Sequence, residues 1–251
     1  LTAKELALRF NPFLIVFARY LSQLILLLII FNKQFKTHLK SNHKPLQILR
    51  GALLMITTCF MFTGLAYLQF AENISIYMIG PVITTILAIL ILKEKISFTQ
   101  ILVVIIGLIG ALIIASPNKG AFNYAVIFPF LAALCFAFFT ISTKFLNTSD
   151  SNQTTLLFTA ITGTILSLPF IIYFWKWPNL NDAILMFCLG FLATAGHFLF
   201  IEALKVINSS FAAPFVYLTV LLAAFWGYIL YDEIPSQSTF IGAFLIITSG
   251  F

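Results

Sequence analysis

Charge is what this chain has least of. Its 251 residues include eight Asp and Glu, fourteen Lys and Arg and three His; 9% are charged and 61% hydrophobic. A soluble domain carries roughly 25% charged and about 45–50% apolar residues. A water-soluble fold is therefore excluded, because no domain of this size has interior enough to hide so much apolar surface. Cysteine is scarce too. Cys59, Cys135 and Cys188 lie in apolar runs without CxxC spacing, so they read as buried filler rather than disulfide or metal-binding thiols. HExxH, GxSxG, a Walker loop and a glycine-rich dinucleotide turn are all missing, and with them go the usual enzyme chemistries and a direct drive by ATP. No cofactor or metal is expected. No cleavable signal peptide is visible, and from the opening on Leu1 a fragment is expected.

What is present is a series of apolar runs. Segments 51–71, 73–92, 96–118, 120–143, 151–175, 183–201, 206–231 and 234–251 contain no Asp, Glu, Lys or Arg, and 11–31 is interrupted only by Arg19. About 20 apolar residues span a hydrocarbon core of about 30 Å. Lipid leaves only helices or closed barrels able to satisfy the backbone, and barrel strands alternate apolar and polar residues. Runs such as Ile101-Leu102-Val103-Val104-Ile105-Ile106 do not alternate. The sequence predicts nine transmembrane helices, with the lipid bilayer as an obligatory partner.

Basic residues set the orientation, since Lys and Arg collect in cytoplasmic loops. Lys33, Lys36, Lys40, Lys44 and Arg50 fall in segment 32–50; Lys93, Lys95, Lys144 and Lys205 fall in loops on the same side. Lys4, Arg9, Lys119 and Lys176 fall on the other. The net charge of +6 is accounted for by this bias, and no nucleic-acid partner is expected. Segment 32–50 is placed in the cytoplasm.

The chain also repeats. Glu94-Lys95-Ile96-Ser97 and Glu233-Ile234-Pro235-Ser236 stand at equivalent places 139 residues apart. Thr2-Ala3-Lys4-Glu5-Leu6 and Ser142-Thr143-Lys144-Phe145-Leu146 are offset by 140. The members of each pair fall on opposite sides by the charge bias, as in the inverted repeats of secondary transporters. Two repeats are expected, over 1–114 and 122–251. Lys144 ends a span, whereas its counterpart Lys4 has almost nothing before it, so a first helix is expected to be missing and the last span to be trimmed. Restoring the first helix gives five plus five.

Particular residues carry a family resemblance. They are Gly80-Pro81 with Glu94 thirteen residues on; Glu202-Ala203-Leu204; Ala213-Pro214-Phe215-Val216-Tyr217; and Gly227, Glu233-Ile234-Pro235, Gly242 and Gly250. In order and spacing they resemble the drug/metabolite transporter superfamily in its EamA-type ten-helix form. Ala66-Tyr67 with Ala71-Glu72-Asn73 resembles a subgroup that includes S-adenosylmethionine and riboflavin uptake proteins. The resemblance implies an all-α membrane protein built as a ten-helix inverted repeat. It also implies a secondary transporter of the bacterial inner membrane, moving a small polar metabolite.

Six side chains are candidates for substrate contact. Arg19 sits eight residues into its span, roughly 12 Å deep, where a charge must face protein or water and a planar guanidinium suits a carboxylate or phosphate; the alternative is a structural lock, for instance onto Glu72. His197 can change protonation near neutral pH and couple protons, or simply bond a neighbouring helix. Glu202 can bind an ammonium, or form an ordinary pair with Lys205 three residues on. Tyr67, Tyr77 and Tyr217 offer rings that stack and hydroxyls that bond. Trp175 and Trp177 read as an interfacial belt, Pro81 and Pro214 as helix breaks, and Gly107-x-x-x-Ala111 and Ala223-x-x-x-Gly227 as close-packing spacings. Glu94 and Glu233 are read as structural, each complementing the N-terminus of the helix that follows it, with Ser97 and Gln100 forming a capping box.

The expected function is movement of a small-molecule substrate that is S-adenosylmethionine-like, flavin-like or amino-acid-like. An exporter of the same family and an intramembrane lipid-modifying enzyme are the alternatives. The topology has a direct check. Cysteines introduced at residues 40 and 119 are expected to react with impermeant reagents from opposite faces of the membrane; labelling of both from one face excludes the arrangement.

Overall fold

A peptide group in hydrocarbon has only other peptide groups to bond, and the chain answers with helix throughout. The computed structural model describes residues 6, 9–68, 70–115, 124–231 and 237–249, a few of them in backbone alone. Its principal helices are α1 (Pro12–Phe31), α2 (Lys44–Tyr67), α3 (Phe70–Tyr77), α4 (Gly80–Leu92), α5 (Phe98–Ala115), α6 (Ile127–Leu146), α7 (Asn152–Phe174), α8 (Leu180–Val206), α9 (Leu218–Tyr231) and α10 (Gln237–Ser249). No strand occurs among the described residues. Among the described residues every apolar run is predominantly helical, and the chain is a multi-pass integral membrane protein.

Local signals set the boundaries. Asn11 Oδ1 accepts from Phe13 N at 3.0 Å with Pro12 opening α1, and Ser151 Oγ accepts from Thr154 N at 3.1 Å to open α7. Both satisfy amides that a helix start leaves without an intrahelical partner. Lys93 ends α4 in the left-handed region at φ 54°. The Ser97–Gln100 capping box forms as expected: Gln100 N donates to Ser97 Oγ at 3.2 Å, and Ser97 N to Gln100 Oε1 at 2.9 Å.

Three expectations need correcting. The run 73–92 is not one helix but α3 and α4, broken ahead of Gly80-Pro81. The run 206–231 is likewise split into a short helix Ser209–Ala212, a 3₁₀ turn Ala213–Tyr217 containing Pro214, and α9. Proline cannot donate its missing N–H, so both breaks fall where it stands. Arg50 is not in a loop: α2 begins at Lys44, and Arg50 lies in its second turn with no exposed surface.

The helices gather into two compact units, Leu1–Phe62 with Ser142–Val206 and Thr63–Ile141 with Ile207–Phe251. In the first, α1 packs on α7 and α8, and Leu27 meets Leu156, Leu157, Ala160 and Ile201. At one end Lys176 Nζ donates to Arg9 O at 3.0 Å and Arg9 pairs with the buried Asp182 at 2.9 Å. At the other, Ser41, Gln47, Lys144, Asp150 and Lys205 collect. In the second unit α5 packs on α10, and Met78, Ala111, Tyr217, Val220 and Ile246 form the core.

The distribution of side chains is that of a protein solvated by lipid. Ile172 is 80% exposed, Leu90 69% and Phe244 67%, while Arg50, Gln23, Gln47 and Thr155 are wholly buried. Close approach depends on glycine, as two positions illustrate. A Cβ on Gly163 would run into the ring of Tyr20, and one on Gly107 would lie 2.5 Å from the ring of Tyr217. Gly196 has open space around it. Gly163→Ala is therefore expected to cost about 1–3 kcal/mol, the usual price of overpacking, and to lower the melting temperature in detergent. Gly196→Ala should leave it unchanged or raise it.

Candidate functional site

In the first unit two of the six predicted residues meet in the middle of their spans. Arg19 of α1 donates through Nη1 to Thr58 Oγ1 of α2 at 3.1 Å, and its Nη2 lies 2.7 Å from Nε2 of His197 on α8. A guanidinium only donates, so His197 Nε2 accepts and the ring is the neutral tautomer with its proton on Nδ1. The guanidinium carbon also stands 4.9 Å from the Tyr20 ring centroid, close enough for a cation–π contact. The Tyr20 hydroxyl lies beside Thr58 and Arg19 without a well-directed hydrogen bond.

A second arginine lies nearby, in electrostatic reach of both Tyr20 and His197. Arg50 donates through Nε to Thr143 Oγ1 of α6 at 2.7 Å and through Nη1 to Thr159 Oγ1 of α7 at 2.5 Å. Thr159 in turn donates to Thr155 O at 2.7 Å, the back-bond that a helical threonine favours. Gln47, one turn before Arg50, donates to Thr155 Oγ1 at 3.1 Å and to Asp150 Oδ2 at 2.7 Å. A line of polar contacts thus runs from Asp150, at the end of the unit, through Gln47, Thr155, Thr159 and Arg50 toward Tyr20, Arg19 and His197.

The other candidates lie apart from this cluster. Glu202 accepts from Asn152 Nδ2 and pairs with Lys205 at 3.6 Å, which is the ordinary i, i+3 arrangement. The tyrosines belong to the second unit. Tyr217 is 1% exposed, and its hydroxyl donates to Val104 O at 3.2 Å; it is packed and satisfied. Tyr77 packs against the same core and has the Phe136 ring at 5.9 Å. Tyr67 is 65% exposed, with the Phe128 ring at 6.1 Å. Glu94 is structural, but for a different helix from the one expected: Oε1 accepts from Ser209 N at 2.9 Å, and Oε2 from Ser210 N at 3.1 Å and Ser210 Oγ at 2.7 Å. It caps the broken helix at Ser209. Glu233 and the side chain of Glu72 lie outside the described residues.

Arg50 and its threonines escaped the sequence reading because Arg50 counted toward a basic loop. A signal was nonetheless there. Thr155, Thr159 and Thr162 are spaced i, i+4, i+7, which puts three hydroxyls on one face of an otherwise apolar helix.

With this geometry in place, comparison with known proteins is decisive. The EamA-like transporter family matches residues 1–116 and again 123–251. The chain belongs to that family. Among curated relatives, an S-adenosylmethionine uptake transporter of Rickettsia bellii (strain RML369-C) is 30% identical over 245 residues, covering 98% of this chain and 84% of that protein. A riboflavin transporter of Vibrio cholerae is 27% identical over 204 residues, covering 80% and 68%. One solved protein structure superposes with a TM-score of 0.84 at 15% identity, covering 99% of this chain and 91% of its own; at that identity it bears on fold alone. This EamA-like chain is a membrane transporter of a small molecule.

The threonine socket has a measurable weight. Thr143→Val or Thr159→Val leaves a guanidinium N–H without that acceptor, which costs about 1–3 kcal/mol when buried. Each substitution is expected to lower the melting temperature of the purified protein. Thr148→Val, at an exposed position, should not.

Proposed function

We propose that this EamA-like protein is a secondary transporter of the bacterial inner membrane, taking up a small polar metabolite of the S-adenosylmethionine type by alternating access. The observation that carries this reading is the Arg19–His197–Thr58 cluster, half-buried among three spans of one unit. Charge at that depth costs free energy and is kept where it binds something. A guanidinium already spread over a hydroxyl, a neutral imidazole and a ring face keeps donors free to rearrange around a carboxylate. S-adenosylmethionine has a carboxylate for Arg19; riboflavin has none. Two relatives whose names specify these two substrates support the class.

Two further features support the inverted-repeat architecture. The family matches in two consecutive stretches of similar length, and each compact unit is assembled from two separate stretches, one beginning in each half of the chain. Both halves also contain a broken helix with a proline at the break, α3–α4 and Ser209–Tyr231. Discontinuous helices at corresponding places are a common feature of alternating-access transporters. The relatives whose names specify a function are transporters, which supports transport over catalysis.

Reconstituted protein should be given labelled S-adenosylmethionine, riboflavin and a neutral amino acid. The first is expected to accumulate; accumulation of the amino acid alone would falsify the proposal. Arg19→Ala should reduce uptake by about tenfold or more, the weight of one charge-assisted hydrogen bond, with Arg19→Lys rescuing poorly. His197→Gln keeps an acceptor for Arg19 but does not titrate. If His197 carries the coupling proton, wild-type uptake will depend on pH and the variant's will not. Matching pH profiles leave facilitated diffusion or exchange.

A further inference from the structure

Resting on the transport reading above, we infer that Gln23 is a specificity-determining residue that pairs with the heterocycle edge of the substrate. Gln23 has no exposed surface, and neither its Nε2 nor its Oε1 has a hydrogen-bond partner. An amide buried in that state is unfavourable until something pairs with it. Its place in the fold puts it beside the Arg19 cluster. On α1 it is one turn past Arg19, about 40° around the helix from it and on the side of Tyr20. Helical side chains lean toward the N-terminus, so the amide leans back toward the Arg19 turn.

The register of α8 brings the third partner to the same level. A Cβ on Gly190 would meet Ser22 Cβ at 2.5 Å, Arg19 O at 2.9 Å and Gln23 N at 3.1 Å. Further along, Ile201 shares a buried cluster with Leu27, against which Leu24 packs. His197 lies between Gly190 and Ile201, and its Nε2 is on Arg19. The unpaired amide and the Arg19–His197 pair therefore occupy one stretch of the α1–α8 contact.

The chemistry defines what Gln23 can take. A carboxamide presents a donor next to an acceptor, the complement of the N6 amine and N7 of adenine. A flavin's imide edge has the same adjacent pair. Arg19 would hold the carboxylate and Gln23 the ring, so the two residues recognise opposite ends of one ligand.

The test separates these two roles. Labelled S-adenosylmethionine uptake into liposomes is competed by S-adenosylhomocysteine and by the same compound lacking the purine 6-amino group. In the wild type the amino compound should compete at least about tenfold better, the weight of one buried hydrogen bond. Gln23→Leu should erase that ratio. Arg19→Ala should weaken both competitors together and keep the ratio. Because Gln23→Leu removes an unpaired buried amide without changing volume much, it should also raise the melting temperature of the ligand-free protein. A ratio unchanged in Gln23→Leu overturns the assignment, and so does a lower melting temperature or failure to fold, either of which would mean that the amide has a structural partner. Wild-type protein that takes up no S-adenosylmethionine overturns the transport reading as well; wild-type uptake with equal competition overturns the role of Gln23 alone.

Discussion

Everything in this structure follows from the absence of water between the two faces of the membrane. A polar group that lipid cannot solvate must find its partner inside the protein. Arg50 meets that condition with two threonine hydroxyls and a threonine carbonyl. Those threonines fix how α6 and α7 can pack on α2, because a guanidinium bonds in one plane with fixed angles. Gly163 then lets Tyr20 lie flat against α7. The position of α1, and with it of Arg19, follows from that contact.

The cluster at Arg19 has a different character from the socket at Arg50. Arg50 is wholly buried, and its bonds go to residues of two neighbouring helices. Arg19 is partly buried, and one of its partners is an imidazole that accepts only while neutral. The first is the arrangement of a structural lock and the second that of a group able to exchange partners. Two arginines in one unit thus differ in burial and in the kind of partner they hold.

Glu94 shows how the second unit handles a broken helix. Splitting 206–231 exposes amides at a new helix start, and a carboxylate from the end of α4 accepts from two of them and from a serine hydroxyl. A helix N-terminus favours negative charge, so the break is stabilised by a residue that is distant in sequence.

Much of this was legible in the sequence. The nine apolar runs predicted helical segments because hydrocarbon thickness and backbone hydrogen bonding leave few alternatives, and the Ser97–Gln100 cap was readable because its partners are three residues apart. Arg19 and His197 stood out one by one as polar groups out of place in lipid. That they touch each other, that Glu202 stays with Lys205 and that Tyr217 is spent on packing could not be read, since contacts such as Arg19–His197 join residues 178 positions apart. Arg50 was misplaced for the same reason: a basic residue near a span end looks like a loop charge until three threonines from other helices surround it. The sequence determined the medium, and hence the helices; the tertiary structure decided which polar groups share an interior, because only packing brings distant donors and acceptors within 3 Å.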